Sequence, residues 1–171
     1  MELKTPAFRA CFSQEKNNFV SLVNLATGTE YIRQAPRDPL VEVYALADGQ
    51  KKKLVAGQPQ VSGDSEHLEI CYAEFGGLDI RMTVHCHAVQ DRLSIRAELE
   101  NHSQADVVEI LLPHIGGLYL GGEAHPDYII YPHHAGERSK NPVMAYGQNK
   151  KDFWRASSVA FEDIYRREIN Y

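Results

Sequence analysis

Residues 76–120 constrain the fold more than any other stretch. They read GGLDIRMTVHCHAVQDRLSIRAELENHSQADVVEILLPHIGGLYL. Leu78, Ile80, Met82, Val84, Cys86 and Ala88 alternate with Asp79, Arg81, Thr83, His85 and His87. Side chains of a strand repeat every two residues, so this is one strand with an apolar and a polar face. Residues 89–92 break the pattern. It restarts with Leu93, Ile95, Ala97 and Leu99 against Ser94, Arg96, Glu98 and Glu100. The polar run 101–106 turns the chain, and residues 107–115 read as a third strand. Three strands in a row joined by short polar turns predict an antiparallel meander with one oily face.

The same grammar governs the rest of the first 120 residues. Residues 7–12 alternate, with Phe8, Ala10 and Phe12 on one side. Residues 19–25 and 29–32 flank Ala26-Thr27-Gly28, a short glycine-containing hairpin connection. Pro36 and Pro39 bracket a loop that no central strand can cross. Residues 40–47 form the next strand, closed by the hairpin signal Asp48-Gly49. Lys51, Lys52 and Lys53 then read as a solvated edge strand guarded against pairing with another chain. Residues 58–62 and 67–73 complete the set, the latter with Leu68, Ile70 and Tyr72 on one face. About eight to ten short strands with regular turns mark an all-β, antiparallel β-sandwich or barrel.

After residue 120 the character changes. Tyr128-Ile129-Ile130-Tyr131 is a short apolar strand stopped by Pro132, and the chain to Asn149 is rich in Gly, Pro and Asn. From Lys151 onward, Trp154, Ser157, Phe161, Ile164, Tyr165 and Glu168 recur at spacings of three or four. Those spacings suit a short C-terminal helix, with irregular chain plus a strand as the alternative. The sandwich is therefore expected over residues 1–137, with 138–171 an irregular or helical segment that continues into a longer chain.

Composition excludes several function classes. At 171 residues with 43% hydrophobic and 24% charged content, the chain suits one soluble domain with a proper core. A net charge of -5 with interspersed signs leaves no basic stripe for nucleic acid or anionic membrane. Three cysteines, Cys11, Cys71 and Cys86, make neither a disulfide framework nor a zinc knuckle. No signal peptide or bilayer-spanning run is legible, which sets a cytoplasmic expectation. Cys71 and Cys86 read as buried packing residues.

Two groups of residues could carry chemistry. His85-x-His87 places two imidazoles on the polar face of one strand, a geometry that suits a metal, with Glu98 or Glu100 across the hairpin as third ligand. Exposed surface histidines are the plainer account of the same pair. His125, Asp127, His133 and His134 flank the strand bearing Tyr128 and Tyr131. Rings that stack on sugar C–H faces beside directional His and Asp hydrogen bonds are what a carbohydrate edge needs. Glu123, Asp127 and Glu137 are the acids of that segment, with nothing to place any two across a cleft. No nucleophile elbow, phosphate-binding loop or Cys-x-x-Cys motif occurs, and no cofactor is expected.

Several phrases carry a resemblance. Residues 19–31, FVSLVNLATGTEY, resemble the first hairpin of the N-terminal β-supersandwich domain of multidomain glycoside-hydrolase-like proteins. Residues 93–118, with Asn101-His102-Ser103 between strands and Leu112-Pro113-His114-Ile115 after them, are similar to the same domains. So is Tyr131-Pro132-His133-His134-Ala135-Gly136. The resemblance implies a galactose-mutarotase-like supersandwich that precedes a (β/α)-barrel bearing the catalytic carboxylates. The chain has no room for that barrel, so catalysis is expected in a C-terminal domain and no catalytic residue is carried over here. The expected function is a non-catalytic sandwich domain of a carbohydrate-processing enzyme, with carbohydrate and that catalytic domain as partners. The alternatives are a stand-alone carbohydrate-binding module and a metal-dependent enzyme using His85 and His87. Open strand edges add an expectation of homo-oligomers.

Overall fold

The computed structural model describes residues 1–47, 49–119, 128–131 and 137–140. The chain forms two compact units, Met1–Tyr119 and Leu120–Tyr171. Among the described residues every regular element is a strand, and the first unit is an antiparallel all-β sandwich. No described helix is long and apolar enough to cross a membrane.

One sheet holds β1 (Glu2–Lys4), β2 (Phe8–Ser13), β3 (Asn18–Asn24) and β4 (Thr29–Glu30), in that order. The hairpin joining β3 and β4 turns at Gly28, whose φ of 71° lies where only glycine is comfortable. A second sheet contains β5 (Glu42–Ala47) and β6 (Gln50–Leu54). The third contains β7 (Gln60–Gly63), β8 (His67–Tyr72), β9 (Ile80–Val89) and β10 (Arg92–Asn101), in spatial order β10-β9-β8-β7. β1 is not legible in the sequence because three residues are too few to show a period.

The expected meander over residues 76–120 is corrected in its last third. β9 and β10 pair from Arg92↔Val89 to Asn101↔Ile80, with no break in register. The following strand, β11 (Asp106–Leu111), instead joins the second sheet beside β5, giving the order β11-β5-β6. Asn101 braces the turn between β10 and β11. Its side chain donates to the Ala105 carbonyl at 2.8 Å and accepts from the Ser103 amide at 3.0 Å. Alternation says which residues face inward, but not whether the next strand pairs with its predecessor or crosses over.

The buried faces of the three sheets meet in one core. β8 contributes Leu68, Ile70 and Tyr72; β9 contributes Ile80, Met82, Val84, Cys86 and Ala88. Phe8, Ala10, Phe12, Phe19 and Val43 pack from the other two sheets, with Leu40 and Val41 from the segment leading into β5. The apolar row of β10, from Leu93 to Leu99, is only partly buried, because β10 lies at the sheet's edge. In the second unit, β12 (Tyr128–Tyr131) pairs antiparallel with β13 (Glu137–Lys140). The helix expected over residues 151–171 lies outside the described residues.

Position in the sheet should set the cost of truncation. Ile70→Ala, at a site with no solvent exposure, should cost about 2–5 kcal/mol of unfolding free energy. Ile95→Ala, half-buried on the edge strand, should cost less than half as much. Urea denaturation of the two variants checks the ordering.

Candidate functional site

Strict alternation on β8 and β9 sends a second set of side chains outward. The registers assemble them into rows across four strands. One row runs Gln60, Cys71, Thr83, Glu98; the next runs Ser62, Glu69, His85, Arg96. Further along, His67 pairs with His87 and His87 with Ser94. With about 4.8 Å between strands, each complete row spans roughly 14 Å of polar surface.

A groove of about 450 Å³ lies on this face, lined by Gln58, Gln60, Cys71, Thr83, Arg81, Glu98 and Glu100, with Tyr72 and Ala73 at its end. Two amides, a guanidinium, two carboxylates and a hydroxyl give it both donors and acceptors. Among the described residues Tyr72 is the only ring lining it, and its side chain is buried and donates to Asn17 Oδ1 at 2.5 Å. Cys71 therefore differs from its expected role: it faces the groove half-buried, while Cys86 is the packing thiol. Burial pushes the Cys86 thiol up to about 12. Burial also raises Cys71; a 3.9 Å hydrogen bond from Thr83 Oγ1 opposes this, and the Glu69 carboxylate adds to it. Neither sulfur is an activated nucleophile.

The expected metal pair is corrected in its neighbours. His85 and His87 do share the outward face of β9, but Glu98 lies opposite Thr83 and Glu100 opposite Arg81. The residues beside the histidines come from β8 instead. His67 Nε2 is 3.4 Å from His85 Nδ1, and Glu69 Oε2 is 3.6 Å from the same nitrogen. Two nitrogens at 3.4 Å match the edge of a tetrahedral zinc site with bonds of about 2.05 Å. The ring planes do not match it. His67 stacks on His87 at 4.3 Å with 14° between planes, and on His85 at 5.6 Å with 11°. Nearly parallel rings do not aim their lone pairs at one point. His67 was missed in the sequence because its partners lie 18 and 20 positions away.

A second cluster escaped the sequence entirely. Glu42 on β5 is 4% exposed and accepts from Lys53 Nζ at 2.5 Å and Tyr44 Oη at 2.6 Å. His114 Nδ1 lies 3.1 Å from the same carboxylate. Asn18, fully buried, donates to the carbonyls of Asp38 and His114 at 2.9 and 2.8 Å and so fixes both flanking segments. Burial acts to raise the Glu42 carboxyl, but the Lys53 and Tyr44 hydrogen bonds and nearby positive charge hold it below the ordinary value. The same contact, with burial, pushes the Tyr44 hydroxyl up to about 12. Asp38, Glu42 and His114 present ligand atoms within 4.8 Å of one another, a spacing compatible with a cation. Lys53 supplies one: its ammonium is 2.5 Å from Glu42 and 3.7 Å from Asp38. The arrangement is complete as an ion-pair network that ties β5, β6 and the segment after β11 together. The lysine run expected to be purely solvated edge thus contributes a structural ion pair through Lys53. Lys51 likewise pairs with Glu109.

The expected carbohydrate edge is described only in part. Tyr128 and Tyr131 are the end residues of β12, with backbone partners Lys140 and Glu137. His125, Asp127, His133 and His134 lie outside the described residues.

No protein-family model, curated protein or solved structure matches this chain.

The Glu42 network makes a signed prediction. Its folded-state pKa lies below the ordinary 4.5, so its stabilising effect is complete above that pH. The effect is lost as pH falls through the lower folded value. Unfolding free energy measured between about pH 2 and 7 should therefore fall more steeply in acid for the native protein than for Glu42→Gln. At neutral pH, Lys53→Met should cost about 1–3 kcal/mol, because it leaves a buried carboxylate short of a donor.

Proposed function

We propose that this chain is a non-catalytic β-sandwich domain of a carbohydrate-processing, glycoside-hydrolase-like protein, and that it meets saccharide on the outward face of the β7–β10 sheet. The observation that carries the reading is the polar groove between Gln60 and Glu100. Amide, guanidinium and carboxylate groups are the side chains that recognise vicinal hydroxyls, each offering paired donors or acceptors in one plane. At roughly 14 Å the rows match the length of a short oligosaccharide.

The sequence resemblance supports the same class. The phrase at residues 19–31 coincides with β3, its glycine turn and β4. A galactose-mutarotase-like supersandwich beside a catalytic barrel is the corresponding architecture, with catalysis in that neighbouring domain.

The groove also favours an accessory role over a stand-alone binding module. Among the described residues its single ring, Tyr72, is buried, so the groove they form offers hydrogen bonds without an exposed stacking surface. Hydrogen bonds exchanged with water contribute only about 0.5–1.5 kcal/mol each. Affinity is therefore expected on the order of 1 mM, suited to a surface that extends a neighbouring cleft.

Amide chemical shifts titrated with a panel of short soluble oligosaccharides test the reading. Saturable shifts should concentrate on β8, β9 and β10 around Thr83. Arg81→Ala should weaken binding at least about fivefold, as expected for one charge-assisted hydrogen bond. The absence of shifts across the panel would refute the reading. Binding kept in Arg81→Ala and lost in Tyr131→Ala would move the ligand to β12, restoring the stand-alone module. Shifts of His67 and His85 on addition of zinc alone would favour the metal-dependent alternative.

A further inference from the structure

The edge of the third sheet is ten residues long and lacks the usual protections. β10 pairs with β9 on one side. Among the described residues no strand pairs with its other side. Strand edges are normally blunted by shortness, proline, bulges or inward-pointing charge. β7, the opposite edge, has four residues, and β6 carries three lysines. β10 has no proline, an unbroken register, and charges that all point outward while Leu93, Ile95, Ala97 and Leu99 point inward. Those four apolar residues remain partly exposed at the rim of the core.

We propose that β10 is a dimerisation strand that pairs antiparallel with β10 of a second copy, centred on Ala97. The outward charges select that partner and that register. Antiparallel pairing about a two-fold axis at Ala97 sets Arg96 opposite the partner's Glu98, and Glu98 opposite the partner's Arg96. Ser94 then faces the partner's Glu100, and Ile95 faces the partner's Leu99. Moving the axis by one residue in either direction sets Arg96 against itself or Glu98 against itself, and like charges directly opposite are destabilising. The shifted registers keep opposite-charge pairs, Arg92 with Glu100 or Arg96 with Glu100, but each carries one like pair on its axis; of the three registers, the one centred on Ala97 has none.

Pairing joins two four-stranded sheets into one of eight strands. It covers the open apolar row of each copy with the same row of the other. The polar rows also become continuous: Gln60, Cys71, Thr83 and Glu98 of one copy run on into the partner's Arg96, His85 and Glu69. The dimer stands on the edge chemistry alone and does not require that the groove take saccharide.

Sedimentation velocity and light scattering of the full chain test the proposal. The native protein at micromolar concentration should show twice the 19.3 kDa chain mass. Arg96→Glu alone and Glu98→Arg alone each turn two attractive pairs into two repulsive ones, and each should raise the dissociation constant at least about tenfold. The double variant R96E/E98R restores opposite charges and should restore the dimer. Both side chains are exposed, so the circular dichroism of all three variants should match the native protein. A monomeric native protein overturns the proposal. A dimer indifferent to either single swap removes β10 from the interface, and a double variant that stays monomeric overturns the register.

Discussion

Burial of alternate residues on β8 and β9 is the constraint from which the other features of this molecule follow. Leu68, Ile70 and Tyr72, with Ile80, Met82, Val84, Cys86 and Ala88, are sealed in the core. A shift of one residue in either strand would carry this whole set into water. At roughly 25 cal/mol per Å² of apolar surface, that is a loss no compensation on the polar face could match. The face that each side chain takes is therefore fixed. In the observed register Thr83 sits between Cys71 and Glu98, and His85 between Glu69 and Arg96. The groove and the histidine stack are the other side of the core.

Legibility in the sequence follows the range of each interaction. The strands of the first 120 residues are legible because period-two alternation is local, and so is the Gly28 turn. The outward orientation of His85 and His87 is legible for the same reason. Their neighbours are not, because Glu69 and His67 arrive from another strand through pairing that no local pattern specifies. β11 shows the same limit at the scale of a strand. Its alternation shows the inward residues, while its pairing with β5 rather than β10 rests on long-range contacts that no local pattern specifies. The Glu42 network is the extreme case. Asp38, Glu42, Tyr44, Lys53 and His114 are each unremarkable in sequence and span 77 positions, yet they converge on one carboxylate.

These two polar assemblies are built on opposite principles. At Glu42, burial demands partners for both carboxylate oxygens, and Lys53, Tyr44 and His114 provide them. The result is a closed network suited to holding the second sheet to the loops around it. On the outward face of β7–β10, the polar groups are half-buried or exposed. Such a surface can exchange water for the hydroxyls of a ligand at little cost in desolvation. The closed network is thereby a matter of stability, while the open face has the chemistry that the proposed recognition of saccharide would use.

The central claim is that the open face receives saccharide between Arg81 and Glu98. A crystal structure of the full chain with a short oligosaccharide bound tests it most directly. The account predicts sugar hydroxyls within hydrogen-bond distance, about 2.7–3.2 Å, of the Arg81 guanidinium and the Glu98 carboxylate, with the ring lying across the Cys71–Thr83 row. Saccharide seated elsewhere on the chain, with this groove holding only water, would contradict it.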